Sequence, residues 1–169
     1  APSPVTEKQL RELHLKLRTA SRILRVIKEV PSKTPEMLHS QARRIHWAEL
    51  FDARHGFLVE SLGAEAEGGG MAPKQVITQV REAIRDVFNR AGGAVPPVDT
   101  DEPKVVIVAH LARGRCMLSL DTSGKSLHKR GYREQGHPAP LKETLAAAIL
   151  IMAGYDGTQP FLDPMCGSG

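Results

Sequence analysis

Two β-rich runs separated by a short turn constrain this chain more than any other feature. Residues 104–111 (Lys-Val-Val-Ile-Val-Ala-His-Leu) and 116–120 (Cys-Met-Leu-Ser-Leu) flank the turn Ala-Arg-Gly-Arg at 112–115. A glycine-containing turn between two such segments predicts a β-hairpin. Because the first run is almost continuously apolar, we expect a strand that is buried on both faces, in a sheet covered by other elements.

An amphipathic helix is predicted to start at Pro73 and to end at Gly92 and Gly93. A short strand is predicted around residues 57–59. The helix carries an apolar stripe that we expect in the core, formed by Val76, Ile77, Val80, Ala83, Ile84, Val87 and Phe88. Helices that alternate with strands favour an α/β (α+β) fold over a helix bundle or a β-sandwich.

Two further helices are predicted in the first third of the chain. Thr6 begins a capping box, and the apolar residues that follow recur at helical spacing up to Ile27, so that one long helix is expected to end at Pro31. Thr34 and the proline after it then supply an N-cap and a first turn for a second helix that extends to about Arg44.

Length and composition bound the remaining possibilities. The 169 residues suit one domain of moderate size, or a domain plus a fragment of another. No apolar run approaches the roughly 18 to 20 residues that a membrane span needs. Cys116 and Cys166 form no Cys-x-x-Cys pair, and no secretory signal opens the chain, which favours a reducing, cytoplasmic compartment. The seven histidines show no spacing suited to zinc, so no metal is expected.

Basic charge is concentrated in two segments. Residues 1–55 hold eleven Lys/Arg against six Asp/Glu, and residues 112–133 hold six against one. Clustered positive charge supplies the sequence-independent part of nucleic-acid affinity through contacts with phosphates. The alternative interpretation is a solvated, charged surface without a partner, and charge alone leaves both open.

The segment 121–137 is predicted to be an exposed connector, because it is rich in glycine and basic residues. Its Lys and Arg side chains are candidates for contacts with RNA phosphates, while His128 and Tyr132 are candidates for stacking on bases. An ordinary linker between domains is the alternative. The glycine-rich segment 64–70 is predicted to be a loop.

The end of the chain predicts a helix, a strand and a ligand-binding loop. Pro140 opens a helix that is expected to end near Gly154, with its inward residues Leu141, Leu145, Ala148, Ile149 and Met152. Phe161 and Leu162 then predict a strand that leads into a glycine-rich loop at 163–169, where backbone N–H groups can approach a ligand. Glycine spacing alone does not separate dinucleotide, phosphate and methyl-donor loops.

The loop sequence Asp-Pro-Met-Cys-Gly-Ser-Gly at 163–169 resembles motif I of the S-adenosylmethionine-dependent methyltransferases that modify exocyclic amines of nucleic-acid bases. Residues 120–133 and 139–146 resemble the linker of bacterial THUMP-containing rRNA methyltransferases, and residues 17–22 and 42–47 resemble the start of their RNA-binding THUMP region. Over most of its length the chain thus resembles the bacterial 23S rRNA guanine-N2 methyltransferase family, truncated at both ends.

This resemblance implies three regions. A THUMP-like domain, with helices packed on a small mixed sheet, is expected over 1–120, and a basic linker over 121–139. The first helix and strand of a truncated Rossmann-like methyltransferase domain are expected over 140–169. Such an isolated strand should be exposed, or packed on another copy of the chain, from about residue 155. The family's Asn-Pro-Pro-Tyr or Asn-Leu-Pro-Tyr loop does not occur in the sequence, so the catalytic residues are expected downstream and the fragment alone is expected to be inactive.

The resemblance also implies a cofactor and a partner. S-adenosylmethionine is expected on the terminal loop, at Asp163, Pro164, Met165, Cys166, Gly167, Ser168 and Gly169. RNA, in particular 23S rRNA, is expected to contact a set of basic residues, namely Arg18, Arg22, Arg43, Arg44, Arg113, Arg115, Lys125, His128, Lys129, Arg130 and Arg133. A THUMP module of a tRNA-modifying enzyme and a non-enzymatic RNA-binding α/β module are the alternatives. Guanine N2 and adenine N6 both stay open as acceptors, and no oligomeric state is predicted.

Overall fold

A computed structural model describes residues 5–63, 71–124, 126–131 and 141–166. The chain divides into two compact units, a central unit of residues 24–124 and a flanking unit of residues 1–23 and 125–169. The predicted loop at 64–70 and the predicted helix start at Pro140 lie outside the described residues.

The central unit is built on a mixed four-stranded sheet. The strands are β1 (Leu24–Pro31), β2 (Phe57–Leu62), β3 (Val105–Ala112) and β4 (Arg115–Asp121), in the spatial order β1-β4-β3-β2. β4 is antiparallel to both of its neighbours, whereas β2 and β3 are parallel. The predicted hairpin and the strand at 57–59 are confirmed. At the hairpin turn, Arg113 and Gly114 have φ values of 50° and 70°, as a type I′ turn requires.

Three helices complete the central unit: α2 (Pro35–Ala42), α3 (Trp47–Leu50) and α4 (Pro73–Arg90). α2 and α4 pack against the sheet, and α3 packs against α4. The predicted stripe of α4 lies in the core, where Val76, Val80, Ala83, Ile84 and Phe88 are buried and Ile77 and Val87 are partly buried. Burying each large apolar side chain stabilises the fold by about 1.5–3 kcal/mol. The predicted fold class, helices on a small mixed sheet, is confirmed.

β3 is buried on both faces, as its apolar run predicts. Ile107 points to the face that carries α2 and α4 and is fully buried. Val108, the next residue, points to the opposite face and is fully buried as well. Its antiparallel partner Ser119 is also buried.

The prediction of one long helix from Thr6 to Pro31 is wrong. The first helix, α1 (Glu7–Lys16), has the predicted capping box, but its last residue is followed by Leu17 in an extended conformation. The later part of the predicted helix is strand β1, in which a β-bulge shifts the register between Val26 and Lys28. The bulge leaves the more buried residues of the strand three positions apart, at Leu24, Ile27 and Val30, a spacing that also occurs on helices.

The last helix, α5 (Glu143–Met152), forms in the flanking unit, and Gly154 follows it with a positive φ, as predicted. The predicted inward side is exposed, however. Leu145 and Ile149 are about half exposed, and Met152 is 87% exposed. A helical apolar face becomes buried only when another layer packs against it, and no layer from the described residues covers this one.

The strand predicted at Phe161 and Leu162 does not form. These residues have no regular secondary structure and are 60% and 85% exposed. The ring of Phe161 packs against that of Tyr155, with 5.3 Å between ring centroids. A strand requires a hydrogen-bonded neighbour, and the described part of residues 141–166 contains none.

Candidate nucleic-acid interface

Arg43 and Arg44 lie in a turn between α2 and α3 that two hydrogen bonds hold in place. The backbone N–H of Ile45 donates to the carbonyl oxygen of Ala42 at 3.2 Å. The indole Nε1 of buried Trp47 donates to the same oxygen at 2.9 Å. The two arginine backbones are therefore anchored to the core, although their side chains point to different surroundings.

The Arg43 side chain has a structural role. Its Nε lies 3.4 Å from Oδ2 of Asp86 on α4, as an ion pair without hydrogen-bond geometry. Nε2 of His39 lies at the same distance from the same oxygen. Two basic side chains of the α2 region thus share one carboxylate of α4, which leaves Arg43 less available to an external anion.

The Arg44 side chain lines a cleft beside the edge strand β1, with a volume of about 250 Å³. We call it the β1 cleft. Its lining combines apolar and charged side chains: Ile27, Lys28, Arg44, Ile45, His46, Glu49 and Leu50. Nδ1 of His46 lies 3.4 Å from Oε1 of Glu49. The cleft therefore presents two cations that have no carboxylate partner among the described residues, Lys28 and Arg44.

The hairpin tip carries a second basic group. Nε of Arg115 lies 2.5 Å from Oε1 of Glu29 on the adjacent strand, so that Arg115 is paired. Arg113 is exposed at the turn. The tip is joined to the residues after β1, because the backbone N–H of Ser32 donates to the Gly114 carbonyl at 2.9 Å. The exposed residue Lys33 follows directly and lies near Gly114, which adds a second cation at the hairpin tip.

In the flanking unit, Arg130 is engaged with the end of α1. Its guanidinium donates to the carbonyl oxygen of His14 at 3.2 Å and also to that of Leu17. These are carbonyls that the end of a helix leaves without intrahelical partners. A side chain predicted to contact RNA therefore closes a helix terminus in this fold.

The other basic candidates of the flanking unit differ in their surroundings. Arg18, Arg22 and Lys129 are exposed. The ring Nδ1 of His128 lies 2.7 Å from the hydroxyl of Ser126, so this imidazole is already oriented by a neighbour. Of the remaining candidates, Lys125, Tyr132 and Arg133 lie outside the described residues.

The described part of the predicted cofactor loop is a turn. Oδ1 of Asp163 accepts a hydrogen bond from the backbone N–H of Met165 at 2.9 Å, and residues 163–166 are exposed. The second carboxylate oxygen of Asp163 has no protein partner among the described residues, so it is able to accept a bond from a cationic ligand. The residues Gly167, Ser168 and Gly169 lie outside the described residues.

Two titratable groups have strongly shifted pKa values. The Arg54 guanidinium donates to both carboxylate oxygens of Asp52 and lowers the pKa of that carboxyl to about 2. Burial raises the pKa of the Cys116 thiol to about 12, which makes it a poor nucleophile. Over the described ranges no cluster of three or more His, Cys, Asp or Glu residues is arranged to hold a metal ion. Nor does any helix in them have the length and apolarity to cross a membrane.

Sequence reasoning does not single out two cations of the candidate interface, Lys28 and Lys33. Lys28 was assigned to the long helix, so its place in an edge strand beside Arg44 was hidden. Lys33 lies in the short connection between β1 and α2, and its proximity to the hairpin tip depends on strand pairing. The sequence feature that points to these two lysines is the general excess of basic residues within 1–55.

Two family models match the chain. The THUMP domain matches residues 32–121, and the RMKL-like methyltransferase domain, UPF0020, matches residues 130–169. The "Ribosomal RNA large subunit methyltransferase K/L" of Allochromatium vinosum is 42% identical over 156 residues, which cover 90% of this chain and 21% of that protein. The chain thus spans about a fifth of the length of the curated relatives it matches.

Solved structures show the same architecture. A predicted N6-adenine-specific DNA methylase from Listeria monocytogenes is 28% identical with a TM-score of 0.76, and the match covers 92% of this chain and 40% of that one. SMU.472, a putative methyltransferase complexed with SAH, is 29% identical with a TM-score of 0.76, and the match covers 96% of this chain and 42% of that one. By its central region this chain belongs to the THUMP domain family, and its last forty residues match the RMKL-like methyltransferase domain.

Proposed function

We propose that this chain is the RNA-binding portion of an S-adenosylmethionine-dependent rRNA methyltransferase that acts in the cytoplasm. The observation that carries the proposal is the presence, in one chain, of a THUMP domain match and a methyltransferase domain match. The name of the Allochromatium relative, a large-subunit rRNA methyltransferase, supports 23S rRNA as the partner.

We further propose that three regions of the chain have the separate roles that the sequence predicts. Residues 1–120 form the RNA-binding region, residues 121–139 connect it, and residues 140–169 begin the methyltransferase domain. The matched ranges, 32–121 and 130–169, support this division. Residues 1–23, which include α1, form one compact unit with residues 125–169. We therefore expect α1 to hold the connector in place.

All the basic candidates remain in the proposed RNA-binding set. Because their surroundings differ, we expect them to contribute to RNA binding to different extents. Arg43, Arg115 and Arg130 are engaged with protein groups, so we expect them to contribute mainly to stability. Arg44 and Arg113 are exposed and lack a carboxylate partner among the described residues, so they are expected to make stronger contacts with phosphates. In the flanking unit, Arg18 and Lys129 are expected to contribute in the same way.

S-adenosylmethionine is the proposed cofactor, and the described residues are compatible with it. Asp163 is held in a turn by Met165, and its second carboxylate oxygen, which has no partner among the described residues, can accept a bond from the ammonium group of the cofactor's methionine part. Gly167 and Gly169 would allow the backbone to approach the cofactor closely. The cofactor supplies an activated methyl group, so the protein's task is to bind and align the base amine. Two similar solved structures, a predicted DNA methylase and a putative methyltransferase complexed with SAH, support this assignment.

The acceptor that we propose is guanine N2. Adenine N6 is the second candidate, because the Listeria structure is described as a predicted N6-adenine-specific DNA methylase. Nucleoside mass analysis of 23S rRNA from cells with and without the gene separates the two. Loss of N2-methylguanosine supports the first assignment, and loss of N6-methyladenosine replaces it with the second. An unchanged nucleoside profile contradicts both.

RNA binding itself is tested by fluorescence anisotropy of this chain with single-stranded RNA over a series of salt concentrations. Three to five phosphate contacts predict a slope of log K against log salt of about −2 to −3.5. A duplex DNA of the same length serves as the comparison and is expected to bind more weakly. Absence of binding at low salt, or a slope near zero, contradicts the proposal.

A further inference from the structure

We propose that the β1 cleft binds one nucleotide of a single-stranded RNA segment. Lys28 and Arg44 hold the phosphate, and the base lies on the apolar floor of the cleft. The inference rests on the proposed function, because it names where in the central unit that RNA is held.

The charges in the cleft favour an anion. Glu49 is the one carboxylate in the lining, and it lies 3.4 Å from Nδ1 of His46. Lys28 and Arg44 have no carboxylate within ion-pair distance among the described residues. Their position contrasts with that of Arg43, which shares Asp86 with a histidine. A phosphate between Lys28 and Arg44 would therefore add charge-assisted hydrogen bonds without breaking an existing ion pair.

The apolar part of the lining favours a base next to that phosphate. Ile27, Ile45 and Leu50 are the apolar part of the lining, which we call the floor. Ile45 is only 6% exposed and belongs to the core, while Ile27 and Leu50 pack against the core. The partly exposed side chains of Ile27 and Leu50 are thus backed by the core, and a planar ring can cover them without the core being repacked. A free inorganic anion would leave this apolar surface in contact with water.

The size and position of the cleft favour a single unpaired nucleotide. Its volume, about 250 Å³, lies just below the roughly 300 Å³ at which pockets for drug-sized ligands begin. A base inside an A-form duplex is stacked and paired, so it cannot reach the floor of such a cleft. The cleft also lies beside an edge strand, so that flanking nucleotides can continue along the surface on either side.

The test compares two double variants of the chain in anisotropy titrations with a single-stranded RNA of about eight nucleotides, a length within the usual site size of single-strand binders. K28A/R44A removes both cations of the cleft. K74A/R90A removes two exposed cations of α4 and serves as the control with the same change in net charge. Thermal unfolding and amide spectra establish that both variants are folded.

We expect K28A/R44A to weaken binding about tenfold or more and to reduce the salt slope by about 0.7, because the one phosphate that the two cations hold is no longer contacted. The control is expected to weaken binding less than about threefold, through long-range attraction alone. An abasic RNA of the same length tests the floor. It should bind the unmodified chain about threefold or more weakly than normal RNA, and it should show no such difference with K28A/R44A.

Two results overturn the inference. One is an equal loss of affinity in the two double variants, and the other is an abasic RNA that binds the unmodified chain as well as normal RNA. Either result leaves the proposed function standing as long as the unmodified chain binds RNA with a steep salt dependence. If the unmodified chain binds no RNA, the proposed function fails together with the inference.

Discussion

Arg130 closes the end of helix α1 at Leu17. The guanidinium donates to the Leu17 carbonyl and, at 3.2 Å, to the carbonyl of His14 one turn earlier. The contact connects two parts of the flanking unit that are distant in sequence. A basic residue can therefore have a structural role even when it lies in a segment whose composition is typical of RNA binding.

Replacing Arg130 with alanine is therefore expected to loosen the end of α1. The loss of the hydrogen bonds should lower the stability of this helix by about 1 kcal/mol, because the site is exposed and water replaces part of the bonding. Hydrogen exchange of the α1 amides measures the effect. Lys129→Ala removes the same charge from the neighbouring exposed position and should leave the exchange unchanged. Equal exchange in the two variants would argue against the helix-closing role.

Around the turn that carries Arg43 and Arg44, we expect substitution of Trp47 to lower the free energy of unfolding the most. Trp47→Phe removes the indole donor to Ala42 and leaves space in the core, which should lower the free energy of unfolding by about 2 kcal/mol. Urea unfolding monitored by circular dichroism gives this value. Ser40→Ala, at an exposed position of α2, is the control and should change it little. A Trp47→Phe variant as stable as the control would contradict the proposed anchoring.

The pairing of Asp52 with Arg54 predicts a specific response to acid. Because the pKa of Asp52 is lowered from 3.8 to about 2 in the folded state, its contribution to stability is complete above the unfolded value and is lost as the pH falls between the two. Arg54→Ala should raise the pKa of the Asp52 carboxyl above about 3, although the backbone N–H of residue 54 still donates to the carboxylate. NMR titration of the carboxyl carbon of Asp52 measures this pKa. A midpoint that stays near 2 would show that another group is responsible.

The two cysteines are expected to differ strongly in reactivity. Cys166 is exposed, whereas Cys116 is buried in the sheet with its thiol pKa raised to about 12. A thiol reagent at about pH 8 should therefore label Cys166 in the folded chain and both cysteines only in denaturant. The variant Cys166→Ser should show no rapid labelling. Rapid labelling of Cys116 in that variant would mean that β4 opens readily, contrary to the buried position of this residue.

Local sequence signals predicted the central unit well. The Arg113-Gly114 turn, the proline at the start of α4 and the apolar stripe of that helix each act over a few residues, and each is confirmed. β1 was misread because a bulge between Val26 and Lys28 gives a strand the apolar spacing of a helix. The spacing of side chains alone does not reveal a bulge, since its cause is the pairing with β4.

Non-local contacts explain the remaining differences. The sequence marks Arg43 and Arg44 as equivalent cations, yet Asp86 of a distant helix engages one and not the other. Helical spacing predicted an inward side for α5, but Leu145 and Ile149 on that side are about half exposed, because burial depends on whether another layer of the fold packs against the helix. The candidate site is similar: its basic composition could be predicted, whereas the cleft that joins Lys28 to Arg44 depends on how β1 packs beside the turn after α2.

The RNA-binding surface of the central unit is tested most directly by photo-crosslinking of this chain to single-stranded RNA that carries a photoreactive base, followed by mass analysis of the crosslinked peptides. We expect crosslinks in the central unit within residues 27–50, which contain the lining of the β1 cleft, and at the hairpin tip around Arg113. Crosslinks confined to the exposed basic residues of α4, Arg85 and Arg90, would contradict this expectation, because they would place the RNA on a different surface.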